Sequence, residues 1–335
     1  MKAAAFKAVG QPLIIEDRPD PKPSEGEVIV KVGRCGICSS DLHMTSGKGV
    51  TFPADSVLGH EYAGEIVEVG AGVSTLKIGE RITAMPFASC GQCALCLTGF
   101  PLGCASVLPM MSGYAEYARM AERSSIKLPQ SLSLADGALV EPLASSLHGV
   151  VMAALRPGAK VVVLGAGAIG LGAIFWARMS GARQVVTIAR SERHKELAMQ
   201  MGATHFFSQG EDLQRQVAAA LGGPPEAVFE CVGVPGSLSA AIELVATRGS
   251  IIVLGMCGVA DPVIPFIAGM KSITMKFSAA YELRDFEAAA DAIDRGAAAP
   301  RSMISETIPL RDLPLVFEQM RTTSRGCKVL VSPSE

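Results

Sequence analysis

The chain has no run of lysines and arginines, no long uninterrupted apolar stretch and no internal repeat. Each absence excludes something. Thirty basic residues are set against 32 acidic ones, for a formal net charge of −2. Nothing here would track a phosphate backbone or an anionic membrane surface, so nucleic acid is not an expected partner. The amino-terminal segment is interrupted by Lys7, Gln11 and Pro12, which leaves no apolar core of the kind a secretory signal needs. The most apolar stretches, such as Lys160–Arg178, are broken by glycines and fall short of a membrane span. Nine cysteines are an odd number. In a large chain without an export signal they argue for a reducing compartment in which clustered thiols hold metal, not for disulfides. The expectation is a cytoplasmic protein with no membrane attachment.

What is present is ample apolar material. Hydrophobic residues make up 49% of the 335 positions and charged residues 19%, enough for two ordinary domains and no basis for disorder. Up to about residue 145 the chain reads as short β-type runs, Glu27–Val32, Glu61–Val69 and Arg81–Ala84, punctuated by Gly and Pro. A barrel-like or sandwich-like region is expected there. From Gly158 the texture changes to alternating strands and helices: Lys160–Leu164, Ile169–Ser180, Gln184–Ala189, Glu192–Met201, then strands at Val228–Cys231 and Ser250–Leu254. That alternation predicts an α/β, doubly wound parallel sheet covered on both faces. Beyond Tyr281 the pattern predicts one helix, Asp285–Asp294, and a terminal strand, Cys327–Val331. These are too little for a third domain and are expected to return to the first.

The run Lys160-Val-Val-Val-Leu-Gly-Ala-Gly-Ala-Ile-Gly170 is a buried strand leading into G-x-G-x-x-G. In that context the motif predicts a Rossmann-type dinucleotide site. Gly165 makes the tight turn, Gly167 admits a pyrophosphate, and Gly170 lets helix pack on strand, with Ala166, Ala168 and Ile169 supplying the backbone between. The helix amino terminus offers free N–H groups to the anion. The alternative reading is a glycine-rich turn without ligand. A further absence bears on the coenzyme. About 20 residues past the last glycine, where an NAD enzyme carries an acid for the ribose hydroxyls, stand Ala189, Arg190 and Ser191. No carboxylate repels a 2′-phosphate there and arginine can bind it, so NADP(H) is the expected coenzyme. The alternative is that these bases are a solvated helix start and the enzyme takes either coenzyme, NADP(H) or NAD(H).

Cys90, Cys93, Cys96 and Cys104 place four thiols within fifteen positions, a donor set for a closed, tetrahedral, structural zinc. Free or redox-active thiols are the competing reading. A second set is dispersed: Cys38, Ser40, Asp41 and His43, then His60 and Glu61, then Glu141. None alone is informative. Beside a dinucleotide motif, however, Cys38, His60 and Glu141 form a plausible open three-ligand zinc site, because hydride transfer to and from alcohols needs a Lewis acid and a proton relay.

The motifs GICSSDLH, GHEYAGEIVEVG, the four-cysteine loop, VEPLASSLH and VLGAGAIGLG together resemble the zinc-containing medium-chain dehydrogenases, the group of alcohol, sorbitol, butanediol and threonine dehydrogenases. The resemblance runs over essentially the whole chain. It implies a GroES-like catalytic domain over residues 1–147 carrying both zinc sites, a Rossmann domain over 148–282, and a segment 283–335 returning to the first. It further implies that Cys38 and His60 bind catalytic zinc, that Glu61 approaches the metal, and that Asp41 orients the zinc histidine. Ser40 takes the alcohol proton, His43 is a later member of the relay, and Lys328 lies near the coenzyme pyrophosphate. Alcohol dehydrogenases hold catalytic zinc with two cysteines and a histidine. Glu141 at the third position is the pattern of the sorbitol and butanediol branch, where the carboxylate binds zinc directly or through water. Homo-oligomers, dimers or tetramers, are implied by the same analogy. The expected activity is reversible hydride transfer between NAD(P)H and an alcohol/ketone pair, most consistent with a secondary alcohol, diol or polyol. Two rivals share the fold: a zinc-independent quinone or enoyl reductase, and a non-enzymatic dinucleotide-sensing protein.

Overall fold

The computed structural model describes residues 1–47, 51–210, 212–323 and 325–334. The chain forms two units, one from Met1–Ala144 with Glu282–Glu335 and one from Ser145–Tyr281. The boundaries fall at 144/145 and 281/282, and the first lies inside the helix Leu134–Ala153.

The first unit is built on a seven-stranded sheet. Its central strand, Glu27–Gly36, pairs antiparallel with Glu61–Val69, Tyr117–Ala121 and Lys328–Ser332. Val28, Val30 and Val32 are wholly buried while Lys31 points out, the period-2 alternation of a sheet with one face on a core. That core includes Ile66, Ile82, Met120, Phe317 and Val331. The carboxyl-terminal segment holds more than the one helix and strand expected. It contains helix Leu283–Asp294, strand Ile304–Pro309, helix Leu313–Thr322 and strand Lys328–Ser332. The last strand sets Leu330 opposite Gly36 and Val331 opposite Cys35, so the end of the chain comes to lie beside the segment that leads into Cys38.

The helix Leu134–Ala153 opens on a reciprocal cap. The Ser133 N–H donates to Asp136 Oδ2 at 2.8 Å and the Asp136 N–H donates to Ser133 Oγ at 3.1 Å. Arg301 Nε donates to Asp136 Oδ1 at 2.6 Å, which fastens this helix start to the carboxyl-terminal segment.

The second unit is a six-stranded, all-parallel sheet. Its order is His205–Ser208, Gln184–Ala189, Lys160–Leu164, Ala227–Glu230, Ser250–Val253, Thr274–Phe277. Val161, Val162 and Val163 are fully buried, as a strand covered on both faces requires. The chain leaves Lys160–Leu164 to one side and later returns to its other side at Ala227–Glu230. The crevice outside the carboxyl ends of these two strands is therefore the topological switch point, where ligands of open α/β sheets bind. Among the described residues no helix is long and apolar enough to cross a membrane.

Candidate active site

Cys38 caps the short helix Ser39–Met44 from an extended conformation, and His60 directly precedes the strand Glu61–Val69. Pairing of that strand with Glu27–Gly36 sets Glu61 opposite Gly36, so two segments distant in sequence meet at one sheet end. There Cys38, His60 and Glu61 bring one ligand atom each within 4.8 Å of one another. Ser40 Oγ donates to Cys38 Sγ at 3.2 Å and lies 3.5 Å from His60 Nε2. His60 Nδ1 faces Asp41 Oδ1 at 3.2 Å, and Asp41 is wholly buried. Burial alone would lower the His60 pKa. The Asp41 and Cys38 groups beside it instead carry it well above the usual imidazole range. His43 is exposed on the same short helix.

A residue that sequence reasoning missed completes this arrangement. Tyr114 is wholly buried and its hydroxyl donates to Asp41 Oδ2 at 2.6 Å. Both Asp41 oxygens are thus committed, one to the histidine and one to the tyrosine. A buried tyrosine hydroxyl needs an acceptor, which marks Tyr114 as a residue to watch, but no sequence spacing says which acceptor it finds.

Two further expected site residues are buried. Lys328 lies against Glu61. Its ammonium donates to both Glu61 oxygens, at 2.7 and 2.6 Å, and to the Ile37 carbonyl at 3.3 Å, which uses all three of its donors. Lys328 and Glu61 are only 2% and 1% exposed. Burial disfavours the charged lysine, but Glu61 outweighs it and raises the lysine pKa, so the ammonium stays charged. Gly36 makes room for it, since a Cβ there would run into Glu61 Oε2. Glu141 is buried on the helix Leu134–Ala153. Glu61, the carboxylate next to the histidine in sequence, stands with Cys38 and His60 while bonded to Lys328.

The second thiol group is compact. Cys90, Cys93, Cys96 and Cys104 form one set of ligand atoms, with Sγ–Sγ distances of 3.8 Å for Cys90–Cys96 and 3.5 Å for Cys93–Cys96. Four thiolates around a tetrahedral zinc, with Zn–S of about 2.3 Å, stand roughly 3.8 Å apart, so the donor set fits that ion. Backbone N–H groups point at the sulfurs, from Cys93 to Cys90 and from Ser106 to Cys104. The N–H groups of Gln92 and Cys93 bring the Cys90 pKa down to about 6, which favours the thiolate that metal requires.

In the second unit Gly165 has φ +97°, and a Cβ at Gly170 would strike the Gly165 carbonyl oxygen. At Gly167, the exposed amino-terminal cap of helix Ala168–Met179, an added Cβ would meet nothing, which leaves this cap open to a ligand. Ala189 ends its strand, and Arg190, Ser191 and Arg193 are exposed. His194, which the sequence reading passed over as part of a basic run, binds the Ala166 carbonyl through Nδ1 at 2.8 Å. It ties this basic segment to the glycine-rich loop.

A doubly wound sheet with a glycine-rich loop, joined to a β unit with two zinc-competent donor sets, defines a metal- and dinucleotide-dependent dehydrogenase. Comparison with known proteins narrows this. The alcohol dehydrogenase GroES-like domain matches residues 24–130 and the zinc-binding dehydrogenase domain residues 168–295. (R,R)-butanediol dehydrogenase of Bacillus subtilis (strain 168) is 32% identical over 349 residues, covering 100% of both chains. A zinc-binding dehydrogenase from Sinorhizobium meliloti 1021 bound to NADP superposes with a TM-score of 0.89 at 30% identity over 99% of each chain. A structure from Escherichia coli CFT073, described as a short chain alcohol dehydrogenase complexed with NADH, gives 0.90 at 26% identity over 99% of each chain. The chain belongs to the zinc-type medium-chain alcohol dehydrogenases. It is an oxidoreductase that acts on alcohols with zinc and a nicotinamide dinucleotide. Both donor sets are intact, which neither a zinc-independent reductase nor a binding protein needs.

Proposed function

We propose that this enzyme interconverts a secondary alcohol of a diol or polyol with its ketone, using NADP(H) in preference to NAD(H). The observation that carries the coenzyme choice is the end of strand Gln184–Ala189. Ala189 replaces the ribose-binding acid, and the exposed Arg190 enters none of the ion pairs found among the described residues. Arg190 and Ser191 are then the 2′-phosphate partners, beside a loop whose Gly165–Gly170 backbone takes the pyrophosphate. The substrate class follows relatives whose names specify (R,R)-butanediol, sorbitol, D-xylulose and the 3-position of L-threonine, all secondary alcohols or their ketones with a second polar group nearby.

When bound, zinc supplies a Lewis acid for the substrate oxygen and the nicotinamide gives or takes the hydride. The chain's own residues do the rest. Cys38 and His60 are the fixed donors of the catalytic site. Asp41 holds the His60 Nδ1 proton, leaving Nε2 as the donor nitrogen. The third donor is a carboxylate, Glu61, which stands in the group, or Glu141, and zinc analysis of Glu61→Gln and Glu141→Gln separates them. Ser40 Oγ, adjacent to both fixed donor atoms, exchanges the proton of the substrate oxygen. His43, three residues along the same helix and exposed, passes that proton to solvent. Lys328 acts by holding Glu61, not by meeting the pyrophosphate. Cys90, Cys93, Cys96 and Cys104 hold a structural zinc, as four reduced thiols do in a cytoplasmic setting.

We further read the chain as a homo-oligomer paired through the second unit. The edge strand Thr274–Phe277 has a neighbour on one side only. Near it in sequence, Phe266, Met270 and Phe277 are 74%, 70% and 64% exposed, far more apolar surface than an isolated edge tolerates.

The test is a fluorescence titration of the purified protein with NADPH and, in parallel, NADH, followed by a vicinal-diol and polyol screen with the better coenzyme. Tighter NADPH binding is expected, and tighter NADH binding reduces the basic segment to a solvated helix start. Cys38→Ala is expected to lower zinc from two per chain to one and abolish turnover while coenzyme binding persists. Full activity in that variant removes the catalytic-zinc assignment.

A further inference from the structure

Glu230 ends the strand Ala227–Glu230 and is 1% exposed, yet it pairs with no cation among the described residues. Its Oε1 accepts instead from two successive backbone donors, Val232 N–H at 2.7 Å and Gly233 N–H at 2.9 Å. Its main-chain carbonyl accepts from Leu254 N–H at 2.8 Å and Gly255 N–H at 2.9 Å, in the loop after the neighbouring strand Ser250–Val253. One residue therefore ties together two loops at the carboxyl edge of the sheet. The glycines show how tight the junction is. A Cβ on Gly255 would run into the Gly233 nitrogen and come within 2.5 Å of Glu230 Oε2, and one on Gly233, where φ is +68°, would lie 2.6 Å from the Met256 nitrogen. The same junction reaches the glycine-rich loop. The Cys231 N–H donates to the Leu164 carbonyl at 2.9 Å, and Val232 Cγ2 and the Cys231 carbonyl oxygen would stand 3.1 Å from a Cβ on Gly165.

A doubly wound sheet binds a dinucleotide across its switch point, one mononucleotide on each half. The Lys160–Leu164, Gln184–Ala189 half carries the glycine loop and the basic segment, which suit the pyrophosphate and the adenosine side. The other mononucleotide belongs to the half whose loops Glu230 organises. Those loops present Val232, Val234 and Met256, which are 42%, 47% and 59% exposed. Exposed apolar side chains clustered at a strand end suit a flat heteroaromatic ring. A buried carboxylate aimed only at backbone is a costly way to shape a loop, and both of the N–H groups it satisfies flank Val232.

We propose that Glu230 is the positioning residue for the nicotinamide half of the coenzyme, holding the loops that carry Val232, Val234 and Met256 in register with the glycine-rich loop. This rests on the dinucleotide-site reading above. It is tested with the full-length enzyme by calorimetric titration against two ligands, NADPH and 2′-phospho-ADP-ribose, which lacks only the nicotinamide. NADH and ADP-ribose are run as the unphosphorylated pair. In Glu230→Ala, and in Glu230→Asp, whose shorter side chain withdraws the carboxylate from the two N–H groups, NADPH is expected to bind about tenfold more weakly. The fragment is expected to bind to the variants within about twofold of the parent, since it lacks the ring that Val232, Val234 and Met256 are proposed to face. Glu230→Gln keeps an acceptor oxygen at the same reach and is expected to restore NADPH affinity. Equal weakening of both ligands would mean that Glu230 merely supports the unit as a whole, and unchanged NADPH affinity in Glu230→Ala removes the assignment outright. If Glu230→Ala does not fold, Glu230→Asp decides between the same outcomes. Failure of the unmodified enzyme to bind any of the four ligands would sink the dinucleotide site itself, a result separate from any behaviour of the variants.

Discussion

At the residue scale the metal site is a nested set of hydrogen bonds in which each group is held by the next. Tyr114 holds Asp41, Asp41 holds His60, and Lys328 holds Glu61. The tyrosine also packs edge-on against Phe317, with ring centroids 6.5 Å apart, so Tyr114→Phe removes one hydroxyl and leaves the packing. Because partners behind a metal histidine commonly contribute 10–100-fold in metal affinity, this variant is expected to lose catalytic zinc to a chelator roughly tenfold faster than the parent. The four-cysteine zinc is expected to be unaffected, so zinc per chain after timed dialysis reads the effect directly. Equal retention in the two proteins would show that Asp41 keeps its orientation unaided. Cys38 and His60 were legible in the sequence as ligand candidates because a dinucleotide motif stands beside them and their motifs resemble a zinc-dehydrogenase family. Tyr114 and the Lys328–Glu61 pair were not, since a buried polar group advertises its need for a partner and not the partner's address.

At the scale of elements, short apolar strands bounded by polar or glycine residues were the most readable. Arg81–Ala84, Lys160–Leu164 and Gln184–Ala189 run over the residues their patterns marked. The helix Leu134–Ala153 went unread although it carries Glu141. Residues 136–144 are all buried, so no polar face interrupts the apolar one, and Gly137 and Pro142 within it read as breakers. Its start has a measurable signature. Burial works against ionisation of Asp136, but Arg301 and the Ser133 N–H and hydroxyl hold its pKa below the usual carboxylate range. A carboxyl whose pKa is lower folded than unfolded contributes stability above its unfolded pKa, near 3.9, and that contribution is lost as pH falls through the folded value. Asp136→Asn is therefore expected to cost about 1–2 kcal/mol near neutral pH, with the gap to the parent closing below about pH 4. Urea midpoints measured at pH 7, 5 and 3.5 check this, and a gap that stays constant would assign the loss to capping geometry alone.

At the scale of the whole molecule the open question is what covers the outer edge of the parallel sheet. In the proposed homo-oligomer a second copy supplies the same edge and the same apolar residues, a self-complementary arrangement about a two-fold axis. Phe277→Lys combined with Phe266→Glu is expected to shift the mass measured by light scattering toward the 34.9 kDa of a single chain, with coenzyme affinity retained. A parent protein that already runs at that mass would refute the pairing.

The sequence by itself determined the two-part organisation, the parallel sheet with its glycine-rich loop, the four-cysteine donor set and the pairing of Cys38 with His60 as ligand candidates. Each is local: a period, a spacing or a residue type with few alternative uses. Only the tertiary structure decided that Lys328 holds Glu61, that Glu61 stands with Cys38 and His60, and that Glu230 joins two loops. Those contacts span separations such as the 267 positions between Lys328 and Glu61. Over such distances chain proximity carries no information, and the partner is chosen by which buried charges and donors the packed sheets leave to be satisfied.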